Sequence, residues 1–201
     1  KSNTIVTGMP VRSSVLSLHG QRYPNLDEGG KINITIFGGS QGASVFGKVV
    51  PDAIKLLDKP LRHRINIIQQ CRPEDIEYTE KAYQKMGVRA DIASFFDDIP
   101  NRISNAHLVI CRAGASTIAE LTIIGRPAIL VPYTYAADDH QSQNAFLLDE
   151  AGGGWLIAEN NFNGKILASR ITSLFSIPKI LQNAGLASKT MGKPDATKIL
   201  A

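Results

Sequence analysis

An apolar run from Ile32 to Phe37 ends in Gly38-Gly39-Ser40-Gln41-Gly42 and continues in a helical pattern toward Leu57. A strand that turns through glycines into a helix leaves the first backbone N–H groups of that helix without partners, and such groups attract an anion. Gly38 and Gly39 permit backbone angles and close approach that a side chain would block, and Ser40 adds a hydroxyl. Three phosphate-binding patterns compete for the turn. A dinucleotide fingerprint needs G-x-G-x-x-G and an acidic end to the second strand, but the spacing differs and that strand ends in Gln70-Cys71. A Walker loop needs G-x-x-x-x-G-K-[ST]; Gly42 to Lys48 fits until Val49 replaces the magnesium-binding hydroxyl, and Lys48 lies well inside the helix. What remains is a shorter, amide-lined turn, or a plain glycine turn joining strand to helix.

The stretch CRAGASTIAELTIIGRPAILVPY repeats the arrangement. A strand ends at Arg112, Gly114 makes the turn, and a helix starts near Ala115-Ser116-Thr117, so a second helix N-terminus is expected at the same crevice. Glu120 falls one to two turns into that helix, where a carboxylate can accept two hydrogen bonds from a ribose diol. The plainer readings are dipole complementarity for Glu120 and ordinary capping for Ser116 and Thr117. Asp97-Asp98 starts a helix, and no D-x-D pattern occurs, so a metal-bound diphosphate is not indicated. Neither Cys71 nor Cys111 sits in metal-ligand spacing, and so few thiols exclude a disulfide framework.

The elements that must position these residues alternate as strand and helix. Strands are expected at INITIFGG, RINIIQQC, RADIASF, LVICR, PAILVPY and GWLIAE; helices from the glycine turn to about Leu57, at 73–86 closed by Gly87, 99–105, 115–124 stopped by Gly125, HQSQNAFLLDEAG and GKILASRITSLF, with two short helices from Pro178 onward. About six such units, with mostly continuous apolar strands, predict an α/β fold: a Rossmann-like, doubly wound parallel sheet. Ligands bind such sheets at the carboxyl ends of the strands, which singles out the loops 38–42, 96–98, 112–116 and 133–141. Gly152-Gly153-Gly154 reads as a helix stop.

With 201 residues, 43% hydrophobic and 20% charged, the chain has the balance of a soluble globular protein with one sizeable core. A net charge of +4 without a Lys or Arg run, and 6% aromatics, disfavour nucleic acid as a partner. No apolar run is long enough to span a bilayer, and the first residues, lacking an apolar core segment, are not expected to be a signal peptide. Lys1 stands where a methionine is usual, and TIVTGMP reads as a strand in progress, so the chain is expected to be a fragment.

The segments TGMPVR, GGSQGA, FFDDI, CRAGASTIAEL, GRPAILVPY and DDHQSQNA resemble, in order and spacing, the C-terminal half of the MurG family of N-acetylglucosaminyltransferases, from about Ile5 to PDAT near the end. That family makes lipid II from lipid I in peptidoglycan synthesis. The resemblance implies the two-domain GT-B fold, with residues 1–15 as interdomain junction and 16–201 as the domain that binds UDP-N-acetylglucosamine (UDP-GlcNAc). It implies Arg12 and Ser40 near the donor diphosphate and Phe96 reading the uracil edge through its backbone. Ala115, Ser116, Thr117, Ile118 and Ala119 match the donor-binding turn, with Glu120 on the ribose hydroxyls. Gln141 matches a contact to the sugar, with Asn144 one helical turn on. Met9 departs from the asparagine usual before the proline, and His140 from the residues often found at its position.

No cofactor and no metal are implied, and no catalytic residue in this chain. The resemblance implies that the general base, the lipid I surface and the membrane contact belong to an N-terminal half expected to lie outside this chain. The implied location is the cytoplasmic face of the bacterial inner membrane, peripherally held, with this fragment soluble and inactive in transfer. Two alternatives stand beside it: a UDP-GlcNAc 2-epimerase, for which Asp138, Asp139 and His140 would be the acid–base candidates, and a non-catalytic nucleotide-binding module.

Overall fold

A computed structural model describes residues 7–27, 29–39, 43–133 and 139–200. Six parallel strands form one sheet: β1 (Ile32–Phe37), β2 (Ile65–Gln70), β3 (Arg89–Ala93), β4 (Leu108–Cys111), β5 (Ala128–Leu130) and β6 (Gly154–Leu156), in spatial order β3-β2-β1-β4-β5-β6. The doubly wound sheet expected from the alternation is present. The helices are α1 (Ser13–Leu16), α2 (Ser44–Leu56), α3 (Lys59–Arg64), α4 (Pro73–Lys85), α5 (Ile99–Ser104), α6 (Ala115–Ile124), α7 (His140–Glu150), α8 (Gly164–Ser176), α9 (Pro178–Thr190) and α10 (Ala196–Leu200). Of these, α3 was not anticipated; Asp58 caps it by accepting from the Leu61 N–H, and Pro60 sits in its first turn. The first tail helix, α9, is longer than expected. Thr7 to Pro10 forms no regular element, so the strand anticipated there does not appear among the described residues.

The central strands β1, β4 and β5 each feed two cores. Ile34, Ile36, Leu108 and Ile110 face α2 and α8, while Phe37, Val109 and Cys111 face α1, α5, α6 and α7. This is why the runs read as continuously apolar. The edge strand β3 is the exception, carrying Arg89 and Asp91 on a half-exposed surface.

Helix α2 contains Pro51, buried in its third turn. Proline has no N–H to give the carbonyl four residues back, which is that of Gly47. The hydroxyl of Thr79 on α4, which donates to the Asp75 carbonyl at 2.8 Å, shares its proton with that carbonyl at 3.3 Å, and Gly47 leaves the room for it. Helix α6 ends on Gly125 in the left-handed region, φ 73°. Helix α6 then meets α9 and the turn after it almost backbone to backbone: a Cβ at Gly185 would lie 3.0 Å from the Gly125 carbonyl oxygen, and one at Gly192, just past α9, would lie 2.9 Å from that of Thr122. Gly152 supplies another left-handed turn, but Gly154 already belongs to β6, so only part of that triplet acts as a stop. Lys48 is an exposed residue of the second turn of α2, away from the glycine turn.

The guanidinium of Arg126, fully buried, donates to the carbonyls of Ser104, Ile124, Gly125 and Arg22. It thereby satisfies the open carbonyl ends of α5 and α6 together.

Candidate functional site

Strands β1 and β4 are neighbours, with Phe37 beside Cys111, yet β1 leads to α2 on one face of the sheet and β4 to α6 on the other. The loops part at this switch point and leave a crevice. A cleft of about 390 Å³ opens there, lined among others by Gly38, Gly39, Ser44, Arg112, Gln141 and Glu159. The first turn of α2 forms one wall, and its N-cap, Ala43, offers no side chain to its amides. Helix α6 likewise starts on Gly114 without a side-chain cap, so Ser116 and Thr117 do not cap it. Its first turn is exposed at Ala115 and Ser116 but lies outside the lining of the cleft. The two helix starts therefore flank the switch point, and only one of them lines this cavity. Ser40, Gln41 and Gly42 lie outside the described residues, as does Asp138.

The sequence-predicted residues fall into three groups. Arg12 donates from Nη2 to Glu120 Oε1 at 2.9 Å. Helix α1 and the turn after it make this possible, because Val15 and Leu18 bury into the core shared with Leu121 and Ile124 of α6 and so hold Arg12 beside that helix. Glu120 is mostly buried and Arg12 largely exposed. Ile118 packs at the edge of the same core, and the carbonyls of Ile118 and Ala119 accept from the Thr122 hydroxyl.

The second group is on α7, which starts from Asp139 in the left-handed region, φ 55°. Gln141 does not cap its own helix. Its Oε1 accepts from the N–H of Ala113 at 3.3 Å and of Tyr133 at 3.0 Å, joining the exits of β4 and β5. Asn144 donates to the Ala113 carbonyl at 3.0 Å. With its oxygen committed, Gln141 has its amide NH₂ left to meet a ligand acceptor.

Phe96 stands apart. Its ring is buried beneath the Arg102 guanidinium, 4.0 Å from the ring centroid, and Arg102 is itself held by Asp91 and Asp98 at 2.5 Å each. The exposed aromatic of that loop is Phe95. Gln70, where a dinucleotide site would need a carboxylate, donates to the Ser94 carbonyl.

The sequence reading missed Arg112 and Glu159 as site residues. Arg112 directly follows β4 and reaches sideways to Glu159, Nη1 to Oε2 at 3.0 Å and Nη2 to Oε1 at 2.8 Å, in a fork-to-fork pair. An arginine closing a fully apolar strand was the available signal, since a cation placed there needs a partner. Among the described residues, no group of three or more His, Cys, Asp or Glu is placed to hold a metal ion, and no helix is long and apolar enough to cross a membrane.

The model of the glycosyltransferase family 28 C-terminal domain matches residues 33–200. The chain belongs to this glycosyltransferase family. A relative from Paramagnetospirillum magneticum, named UDP-N-acetylglucosamine–N-acetylmuramyl-(pentapeptide) pyrophosphoryl-undecaprenol N-acetylglucosamine transferase, is 48% identical over 97% of this chain and 53% of its own length. The crystal structure of MurG from Acinetobacter baumannii superposes with a TM-score of 0.79 at 29% identity, covering 88% of this chain and 52% of that one. A UDP-GlcNAc 2-epimerase from Neisseria meningitidis shares the fold at a TM-score of 0.60 and 12% identity, over 87% of this chain and 44% of its own. The chain spans about half the length of these glycosyltransferase family 28 relatives. Its fold is that of the C-terminal, Rossmann-like half of GT-B enzymes.

Proposed function

We propose that the chain is the donor-binding half of an inverting transferase that moves N-acetylglucosamine from UDP-GlcNAc to the muramyl sugar of lipid I, giving lipid II. The reading rests on near-half identity, along almost the whole chain, to relatives named for that transfer. In it, residues 1–15 lead from an acceptor half that also meets the inner membrane, and 16–201 hold the donor.

The acceptor hydroxyl attacks the anomeric carbon, the bond from that carbon to the diphosphate oxygen breaks, and UDP leaves with the electron pair. The hydroxyl proton passes to a base in the other half. Charge growing on the diphosphate is met by Arg12, by Ser40 and by the uncapped amides of α2 and of Ala115 to Thr117. Glu120 accepts from the ribose diol, the Phe96 backbone reads uracil, and the Gln141 NH₂ meets the sugar with Asn144 behind it.

What carries the reading is that Arg12 and Glu120, 108 residues apart in the chain, meet at 2.9 Å beside the β4 exit. A group for the diphosphate and one for the ribose must be neighbours if one nucleotide spans both. The test is transfer from labelled UDP-GlcNAc to a lipid I analogue by the intact protein. Transfer is expected, with Glu120→Ala lowering kcat/KM by about tenfold or more, the loss of hydrogen bonds to a charged acceptor. Formation of the 2-epimer instead, or binding without turnover, would replace this assignment.

A further inference from the structure

We propose that Arg112 and Glu159 act as a positioning pair for the donor sugar, a role that rests on the function proposed above. Arg112 lies at the exit of β4, and its Nη1 also donates to the carbonyls of Val131 at 3.1 Å and Pro132 at 3.2 Å, just past β5. Glu159 stands in the 3-10 turn Glu159–Asn161 that follows β6. The guanidinium carbon lies 5.4 Å from the ring centre of Phe46, in the first turn of α2, and 5.1 Å from that of Tyr133. One buried side chain thus ties the ends of β4, β5 and β6 to the start of α2, and it lines the cleft it braces.

A cation in that cleft suggests a phosphate ligand, but its chemistry here is different. The carboxylate of Glu159 already balances the charge in bidentate geometry, on side chains only 11% and 23% exposed. Turning Arg112 to a phosphate would break a desolvated pair and set the Glu159 carboxylate against another anion. The strand-exit carbonyls it holds immediately precede Tyr133, whose N–H meets Gln141 Oε1. Arg112 therefore fixes the loop that aims the Gln141 amide, and the pair governs recognition of the sugar without touching the nucleotide.

The test compares UDP with UDP-GlcNAc by calorimetry on the intact protein, for wild type, Arg112→Lys, Glu159→Gln and Glu159→Asp. Wild type should bind both; if it binds neither, the underlying functional reading falls, and this inference with it. In Arg112→Lys and Glu159→Gln the Kd for UDP should stay within about twofold, while the extra affinity for UDP-GlcNAc falls about tenfold, the scale of one misplaced polar contact. Glu159→Asp should recover part of that preference. Tighter UDP binding by Glu159→Gln would make Arg112 a phosphate ligand and overturn the proposal. Equal losses for both ligands, or no change for either, would also overturn it. Should Arg112→Lys fail to fold, the two Glu159 variants decide.

Discussion

Arg12 and Glu120 hold each other at 2.9 Å across the gap between α1 and α6. Each is a group through which the domain is proposed to grip a different part of one nucleotide, so donor binding exchanges an internal ion pair for two contacts to ligand. With Arg12 largely exposed, such a pair stabilises by no more than about 1 kcal/mol. Arg12→Met should then leave uridine affinity unchanged or improve it by up to about fivefold, because Glu120 is released. UDP affinity should fall by about tenfold through loss of the guanidinium. Calorimetry with both ligands checks the split; parallel losses would rule out the exchange.

Gln141 serves two purposes that substitution can separate. Gln141→Glu retains an acceptor for the Ala113 and Tyr133 N–H groups but removes the NH₂ donor. It should unfold in urea at the wild-type midpoint while losing the preference for UDP-GlcNAc over UDP. Gln141→Ala should lose that preference and also about 1 kcal/mol of stability, since two backbone donors lose their partner.

Arg126 is buried without a carboxylate partner among its hydrogen bonds, and burial pushes its pKa down to about 10, partly opposed by Tyr23. It stays charged at neutral pH, stabilised by four backbone carbonyls. Arg126→Met should cost about 3 kcal/mol or more, because those carbonyls would be left buried and unpaired. Urea unfolding measures it, and Arg126→Lys should recover only a fraction.

His107 sets a pH dependence of stability. Its Nδ1 accepts from the Asn33 N–H at 2.9 Å, so the neutral ring protonated on Nε2, facing the Asn25 carbonyl, is the folded form. Burial lowers its pKa below the ordinary 6.5, with Arg126 and Arg64 adding to the effect against the Asn25 hydrogen bond. The unfolded chain therefore binds the proton first, and stability should fall as pH drops below about 6.5, levelling only below the depressed folded value. Thermal unfolding between pH 7 and 5 should show this decline, and His107→Gln should flatten it.

The order of strands and helices was legible because sheet burial on both faces leaves continuous apolar runs, and because Gly87 and Gly125 mark helix ends by their left-handed turns. The short α3 was missed although Asp58 and Pro60 signal it, since it has no apolar face of its own. The pairing of Arg112 with Glu159 was out of reach, being fixed by the lateral order of β4, β5 and β6. The same holds for Gln141: spacing puts it at a helix start, but only the packed loops show that its oxygen faces inward. Phe96 and Phe95 are adjacent, and only Arg102 above one ring distinguishes the buried aromatic from the exposed one.

The glycine-lined seam between α6 and α9 leaves those two helices no clearance. A pull on the first turn of α6 cannot be absorbed by sliding at its far end, where Gly125, Gly185 and Gly192 lock main chain to main chain. A ligand that orders Ala115 to Glu120 should therefore also steady α9, none of whose residues lines the cleft, and slowed amide exchange in 178–190 would register occupancy there.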